Sequence, residues 1–106
     1  MIVPSISNFT IINGLGGIVV SNSSPNLKNL IIKNNIAPGH GGGINIFNSN
    51  VDISNVVITK NSGCCGGGLN IDQSTVSLTN CSVVGNLSAS GMIINGGSIV
   101  TILNSI

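Results

Sequence analysis

A six-residue phrase recurs along this chain and constrains its fold more than any other feature. Ile6-Ser7-Asn8-Phe9-Thr10-Ile11, Leu27-Lys28-Asn29-Leu30-Ile31-Ile32, Ile53-Ser54-Asn55-Val56-Val57-Ile58, Leu78-Thr79-Asn80-Cys81-Ser82-Val83 and the closing Ile102-Leu103-Asn104-Ser105-Ile106 align without gaps. The shared pattern is apolar, any, Asn, mostly apolar, any, apolar. Successive Asn positions are separated by 21, 26, 25 and 24 residues. Self-similarity at such a period marks a repeat architecture, in which each unit buries its apolar face only by stacking on its neighbours.

Each repeat holds three short apolar alternations separated by turns. In one repeat they are Ile44-x-Ile46, Val51-x-Ile53 and Val56-x-Ile58. Alternation with period two puts these residues on one face of a strand, and no segment sustains a helical period. The chain is therefore expected to be all-β: a parallel β-helix (β-solenoid) of about 4–5 coils of 21–26 residues, with three short strands per coil. The expected inward columns are Ile18, Ile44, Leu69 and Ile93; Val20, Ile46 and Ile71; Val51, Val76 and Val100; Ile6, Leu27, Ile53, Leu78 and Ile102; Phe9, Leu30, Val56 and Cys81; and Ile11, Ile32, Ile58 and Val83. Pro4 and Pro25 fill the first places of the third column.

The first Asn of each repeat lies where one strand must bend into the next, and Asn tolerates the left-handed backbone of such a bend. Asn8, Asn29, Asn55, Asn80 and Asn104 are expected to form a ladder whose amides satisfy one another in the interior. A second Asn follows three residues after the last apolar position, giving a further turn column of Asn35, Asn61 and Asn86. Gly17, Gly42, Gly43, Gly67 and Gly68 precede the next apolar pair and read as turn glycines; the strand–helix context and Lys of a phosphate-binding loop are missing.

Composition narrows the partners. Only 5% of residues are charged and 2% aromatic, with a net charge of +1, against 42% hydrophobic residues. Lys28, Lys33 and Lys60 are too few for a nucleic-acid surface. Apolar runs are too short for a membrane-spanning helix, so membrane insertion is not expected. The opening Met1-Ile2-Val3-Pro4-Ser5 has neither a basic nor a continuous apolar region, so no signal peptide is visible.

The motifs Gly42-Gly43-Ile44 and Gly67-Gly68-Leu69, paired with Ile32-x-x-Asn35, Ile58-x-x-Asn61 and Val83-x-x-Asn86, resemble the repeats of chlamydial polymorphic membrane proteins and related autotransporter passengers. The resemblance covers residues 14 to 104 or so, with Gly in place of the family's Ala and aliphatics in place of its Phe. It implies a right-handed β-helix of the pectin-lyase type, displayed outside the cell or at its surface for adhesion to host-cell surfaces or glycans.

The remaining polar and thiol groups read as solvated loop and turn residues. Polysaccharide cleavage requires paired or clustered acids, and Asp52 and Asp72 are the only acids; they align with Ser77 and Phe47 respectively, in different strands. His40 and the Cys64–Cys65 pair fall in equivalent loops of successive coils, where stacking can bring them together. Cys81 is expected to point inward elsewhere, leaving the set short of four zinc ligands. The three are read as exposed loop residues, and a bridge between adjacent cysteines is disfavoured by geometry. Glycosylation sequons occur at Asn8, Asn22, Asn80 and Asn86, with Asn8 and Asn80 expected to be inaccessible in the ladder. Ice binding would need an outward column of one polar type. Ser7, Lys28, Ser54, Thr79 and Leu103 do not supply it, nor do Thr10, Ile31, Val57 and Ser82.

Neither terminus reads as a polar cap, so the chain is expected to be a single β-helix domain, residues 1–106, that belongs to a longer solenoid or stacks end to end. The resulting expectation is a non-enzymatic structural or adhesive protein without cofactor or metal. Carbohydrate binding, polysaccharide degradation and ice binding stand as the alternatives.

Overall fold

Runs of Ile, Val and Leu punctuated by Asn, Ser and Gly form strands and tight corners throughout. The computed structural model describes residues 5–88 and 90–106. Its strands are β1 (Ser5–Ser7), β2 (Thr10–Ile12), β3 (Ile18–Ser21), β4 (Asn26–Lys33), β5 (Ile44–Phe47), β6 (Asn50–Thr59), β7 (Leu69–Asp72), β8 (Thr75–Thr79), β9 (Ser82–Val84), β10 (Met92–Asn95) and β11 (Ile99–Leu103). Every pairing between them is parallel and joins a strand to its counterpart one coil away. The chain is a β-solenoid of about four turns.

One sheet has four strands in the order β10-β7-β5-β3. The other has seven, in the order β1-β4-β6-β8-β11, with β2 on β4 and β9 on β6. The second and third strands expected in each coil run together in β4 and β6, because the left-handed Asn between them bends the strand without ending it. Isolated parallel bridges from Ile36 to Ser62 and from Ser62 to Leu87 continue the stacking outside the two sheets.

The register reproduces most of the inward columns. Ile6, Leu27, Ile53, Leu78 and Ile102 are successive partners, as are Ile11, Ile32, Ile58 and Val83. The interior members form one apolar core of Ile, Leu and Val, closed by Cys81. Pro25 is buried next to that core, and Pro4 lies outside the described residues. One column needs correction. Met92, not Ile93, sits over Leu69, and Ile93 pairs with Asn70. Gly68 and Leu69 both donate to the Gly91 carbonyl, so the strand starts one residue earlier than the alignment placed it.

Three kinds of corner turn the chain, and each follows one rule. An inward residue is followed by an outward one, then by an outward residue with positive φ, then by an inward residue again. Asn8, Asn29, Asn55, Asn80 and Asn104 hold the left-handed place at the first corner, with φ between 49° and 64°. Asn13, Asn34, Lys60 and Gly85 hold it at the second; Asn22, Asn48 and Gln73 hold it at the third, continued by Gly96 and Gly97. The doubled outward step lets the chain change direction while the alternation stays in phase with the core.

This rule corrects the position of the ladder. Asn8, Asn29, Asn55, Asn80 and Asn104 lie on the convex side of their corner and are exposed; among the described residues their side chains make one inter-coil bond, from Asn55 Nδ2 to Asn29 Oδ1 at 3.3 Å. The interior ladder belongs to Asn35, Asn61 and Asn86, each one residue past a left-handed position and therefore turned inward. Asn61 Oδ1 accepts from the Asn35 backbone N–H at 3.1 Å and from Asn35 Nδ2 at 3.0 Å. Asn86 Oδ1 accepts from Asn61 in the same way, at 3.0 and 3.1 Å. The second amide hydrogen of each is given to a core strand: Asn35 to the Ile11 carbonyl, Asn61 to Ile32 and Asn86 to Ile58. Both donors and both lone pairs of Asn61 are thus used at zero exposure.

The glycines before the next strand are needed for space, not for a left-handed turn; Gly17, Gly42, Gly43, Gly67 and Gly68 all lack positive φ. A Cβ on Gly43 would stand 2.5 Å from the Gly68 carbonyl oxygen, 2.6 Å from Ile58 Cγ2 and 3.0 Å from Asn61 Nδ2. The backbone of one strand therefore lies directly against the Asn ladder and the coil below.

Two outcomes follow. Asn61→Ala leaves partners unsatisfied on both sides and should lower unfolding free energy by about 3 kcal/mol, whereas Asn55→Gly, at an exposed left-handed site, should change it by less than about 1 kcal/mol. Equal losses in urea titrations would contradict an interior ladder at Asn61. Gly43→Ala should cost about 3 kcal/mol, while Gly39→Ala, with nothing within 4 Å of its added Cβ, should be neutral in the same titration.

Candidate functional site

Three features could carry function: the edges of the terminal coils, a polar groove along the third corner, and a thiol–imidazole cluster in the stacked loops.

At the terminal coils some of the apolar columns reach solvent, although Ile18 and Val20 on β3 stay buried. Leu27, Ile53 and Leu78 are at most 1% exposed, whereas their column mates Ile6 and Ile102 are 38% and 54% exposed. Phe9, expected inward above Leu30, is 64% exposed. Among the described residues, Ile6 and Ile102 have a paired strand on one side only.

The groove, about 510 Å³, runs along the third corner between the two sheets. Asn22, Asn48 and Gln73 stack along it, with Asn48 Nδ2 donating to Asn22 Oδ1 at 2.6 Å. Beneath them is a serine ladder. Ser23, Ser49 and Ser74 donate their backbone N–H groups to the hydroxyls of Ser49, Ser74 and Ser98 at 3.0–3.1 Å. The hydroxyls of Ser49 and Ser74 in turn donate to the Phe47 and Asp72 carbonyls two residues earlier. Reading from the sequence missed this column. Its signal was present, since Ser23, Ser49, Ser74 and Ser98 are separated by 26, 25 and 24 residues. Ser is common enough in this chain to hide a periodic subset.

His40, Cys64 and Cys65 are brought together. Their ligand atoms all lie within 4.8 Å of one another, and the two sulfurs are 3.2 Å apart. The Cys64 thiol is pushed above its ordinary pKa, first by its hydrogen bond with Cys65, then by partial desolvation and by repulsion from a Cys65 thiolate. Cys81 stands apart in the core, with its sulfur against the Ile53 and Thr79 carbonyls at 3.4 Å.

The two acids lie in different sheets. Asp52 is exposed on β6 and accepts from the Ser77 hydroxyl at 2.7 Å; Asp72 ends β7 beside Phe47 of the neighbouring coil. Of the sequon asparagines, Asn8, Asn22 and Asn80 are exposed, so Asn8 and Asn80 are not hidden in a ladder as expected, while Asn86 is engaged in the interior one.

Burial pushes the Cys81 thiol up, against the opposing effect of backbone hydrogen bonds from Val56, Thr79 and Asn55. A raised thiol pKa contributes stability that is complete below the ordinary value of 9.0 and is lost as pH rises through the raised one. Iodoacetamide should therefore modify Cys64 and Cys65 in the folded chain while sparing Cys81 until pH or urea opens the core; early labelling of Cys81 in peptide maps would contradict its burial. No protein family, curated protein or solved structure matches this chain.

Proposed function

We propose that this chain is a non-enzymatic structural and adhesive β-solenoid, acting outside the cell or at its surface, whose terminal coils stack on further coils. Those coils come from a second copy, giving a fibre, or from the same longer chain. The observation that carries this reading is the continuation of the apolar columns to both ends. Ile102 is 54% exposed one rung beyond Leu78, which is 1% exposed. Among the described residues, β1, β2 and β3 at one end and β10 and β11 at the other are edge strands, and such edges recruit another strand. Both ends offer parallel edges, so one copy can continue the solenoid of the next. Contact of this kind is heterologous, and a non-closing heterologous contact builds a filament.

A second reading, glycan binding, is favoured by the groove of Asn22, Asn48 and Gln73. It offers uncharged amides and hydroxyls of the kind that pair with sugar hydroxyls.

Electron microscopy and sedimentation of the purified chain should show filaments one solenoid wide, and Ile6→Lys or Ile102→Lys should return them to monomers with unchanged circular dichroism. Monomers at every concentration for the unaltered chain would remove the fibre reading. Retention on a glycan array that is lost in a Gln73→Gly variant would favour the groove instead.

A further inference from the structure

We propose that His40, Cys64 and Cys65 form a binding site for a thiophilic divalent cation of the zinc class, which clips together the loops of two adjacent coils. The inference goes beyond the structural role above and does not depend on it.

The backbone places the ligands. Cys64 N–H donates to the Gly39 carbonyl at 2.9 Å, and Gly41 N–H donates to the Cys65 carbonyl at 3.1 Å. The residues on either side of His40 are thus tied to the two cysteines, and the imidazole is held across the thiol pair. Side-chain geometry agrees. The donor atoms lie within 4.8 Å of one another, with the sulfurs at 3.2 Å. In a tetrahedral zinc site, bonds of about 2.3 Å to sulfur and about 2.0 Å to nitrogen put ligand atoms about 3.5–3.8 Å apart. The thiols must open by about 0.6 Å and the ring approach by at most about 1.3 Å.

The donor set selects the ion. Two thiolates and an imidazole favour zinc-class ions over magnesium or calcium, which take oxygen ligands. Binding releases one proton from each thiol to solvent, and the two thiolate charges neutralise the divalent ion. His40 and Cys64 are exposed, so the fourth position opens to water. The two loops belong to the segment in which repeat length varies, and a metal clip would fix them where sheet pairing does not.

The test uses the whole chain, reduced and stripped with chelator, then titrated with Co²⁺ as the probe. Thiolate-to-cobalt charge-transfer absorption should appear and saturate at one ion per chain. Zn²⁺ should displace the colour, and excess Mg²⁺ or Ca²⁺ should not. C64S, C65S and H40A should each weaken binding at least about tenfold while leaving circular dichroism unchanged, and C81A should bind like the unaltered chain. Absence of the charge-transfer band in the reduced chain would overturn the proposal, as would binding that survives H40A or that requires Cys81.

Discussion

A buried amide tolerates neither a free hydrogen nor an unused lone pair, and in this chain the amides of Asn35, Asn61 and Asn86 find their partners mainly in neighbouring coils. That requirement fixes the stack. Sliding one coil by a residue would turn each Asn outward and push an aliphatic from the core with it. The ladder also fixes how close the returning strand must come, because Gly43 and Gly68 lie against the Asn61 and Asn86 amides with no room for a Cβ. Apolar columns supply most of the burial, and the amide column holds the same register through directional bonds.

The corners explain how a chain with so little charge closes into a coil. Each corner inserts one left-handed residue between two inward positions, and whatever follows it turns inward. At the first corner that residue is Leu30, Val56 or Cys81; at the second it is Asn35, Asn61 or Asn86; at the third it is Ser49 or Ser74. A single backbone rule therefore produces an apolar column, an amide ladder and a hydroxyl ladder. Polar inward residues sit at the second and third corners and give backbone carbonyls their donors: the Ser49 and Ser74 hydroxyls serve the carbonyl two residues back. The exposed Asn residues have a conformational task, whereas Asn61 and its mates have a bonding task.

The period, the parallel stacking and nearly all inward columns were legible in the sequence, because alternation of Leu27, Leu30 and Ile32 with Ile53, Val56 and Ile58 leaves one consistent register. Asn29 and Asn55 were recognisable as left-handed bends. Their side-chain direction was not, since a corner adds an outward residue that simple alternation does not count. For the same reason Asn61 read as a turn residue when it is the buried one. Lys60 and Gln73 hold left-handed positions with no compositional mark, visible only through their place in the period. The start of β10 depended on the geometry of Gly91, which spacing alone does not encode. The approach of His40 to Cys64 and Cys65 followed from stacking the loops; how closely the donors converge required coordinates.

The stacking that buries Leu27, Ile53 and Leu78 leaves their column mates Ile6 and Ile102 partly exposed. All of this rests on Asn35 and Asn61 lying inside while Asn29 and Asn55 lie outside. Hydrogen exchange of the side-chain amides, followed by NMR, measures that difference directly. The account predicts that the Asn35 and Asn61 NH₂ groups exchange only through global opening, while those of Asn29 and Asn55 exchange at the rate of a free amide. Protection of Asn29 and Asn55 with rapid exchange at Asn61 would contradict it.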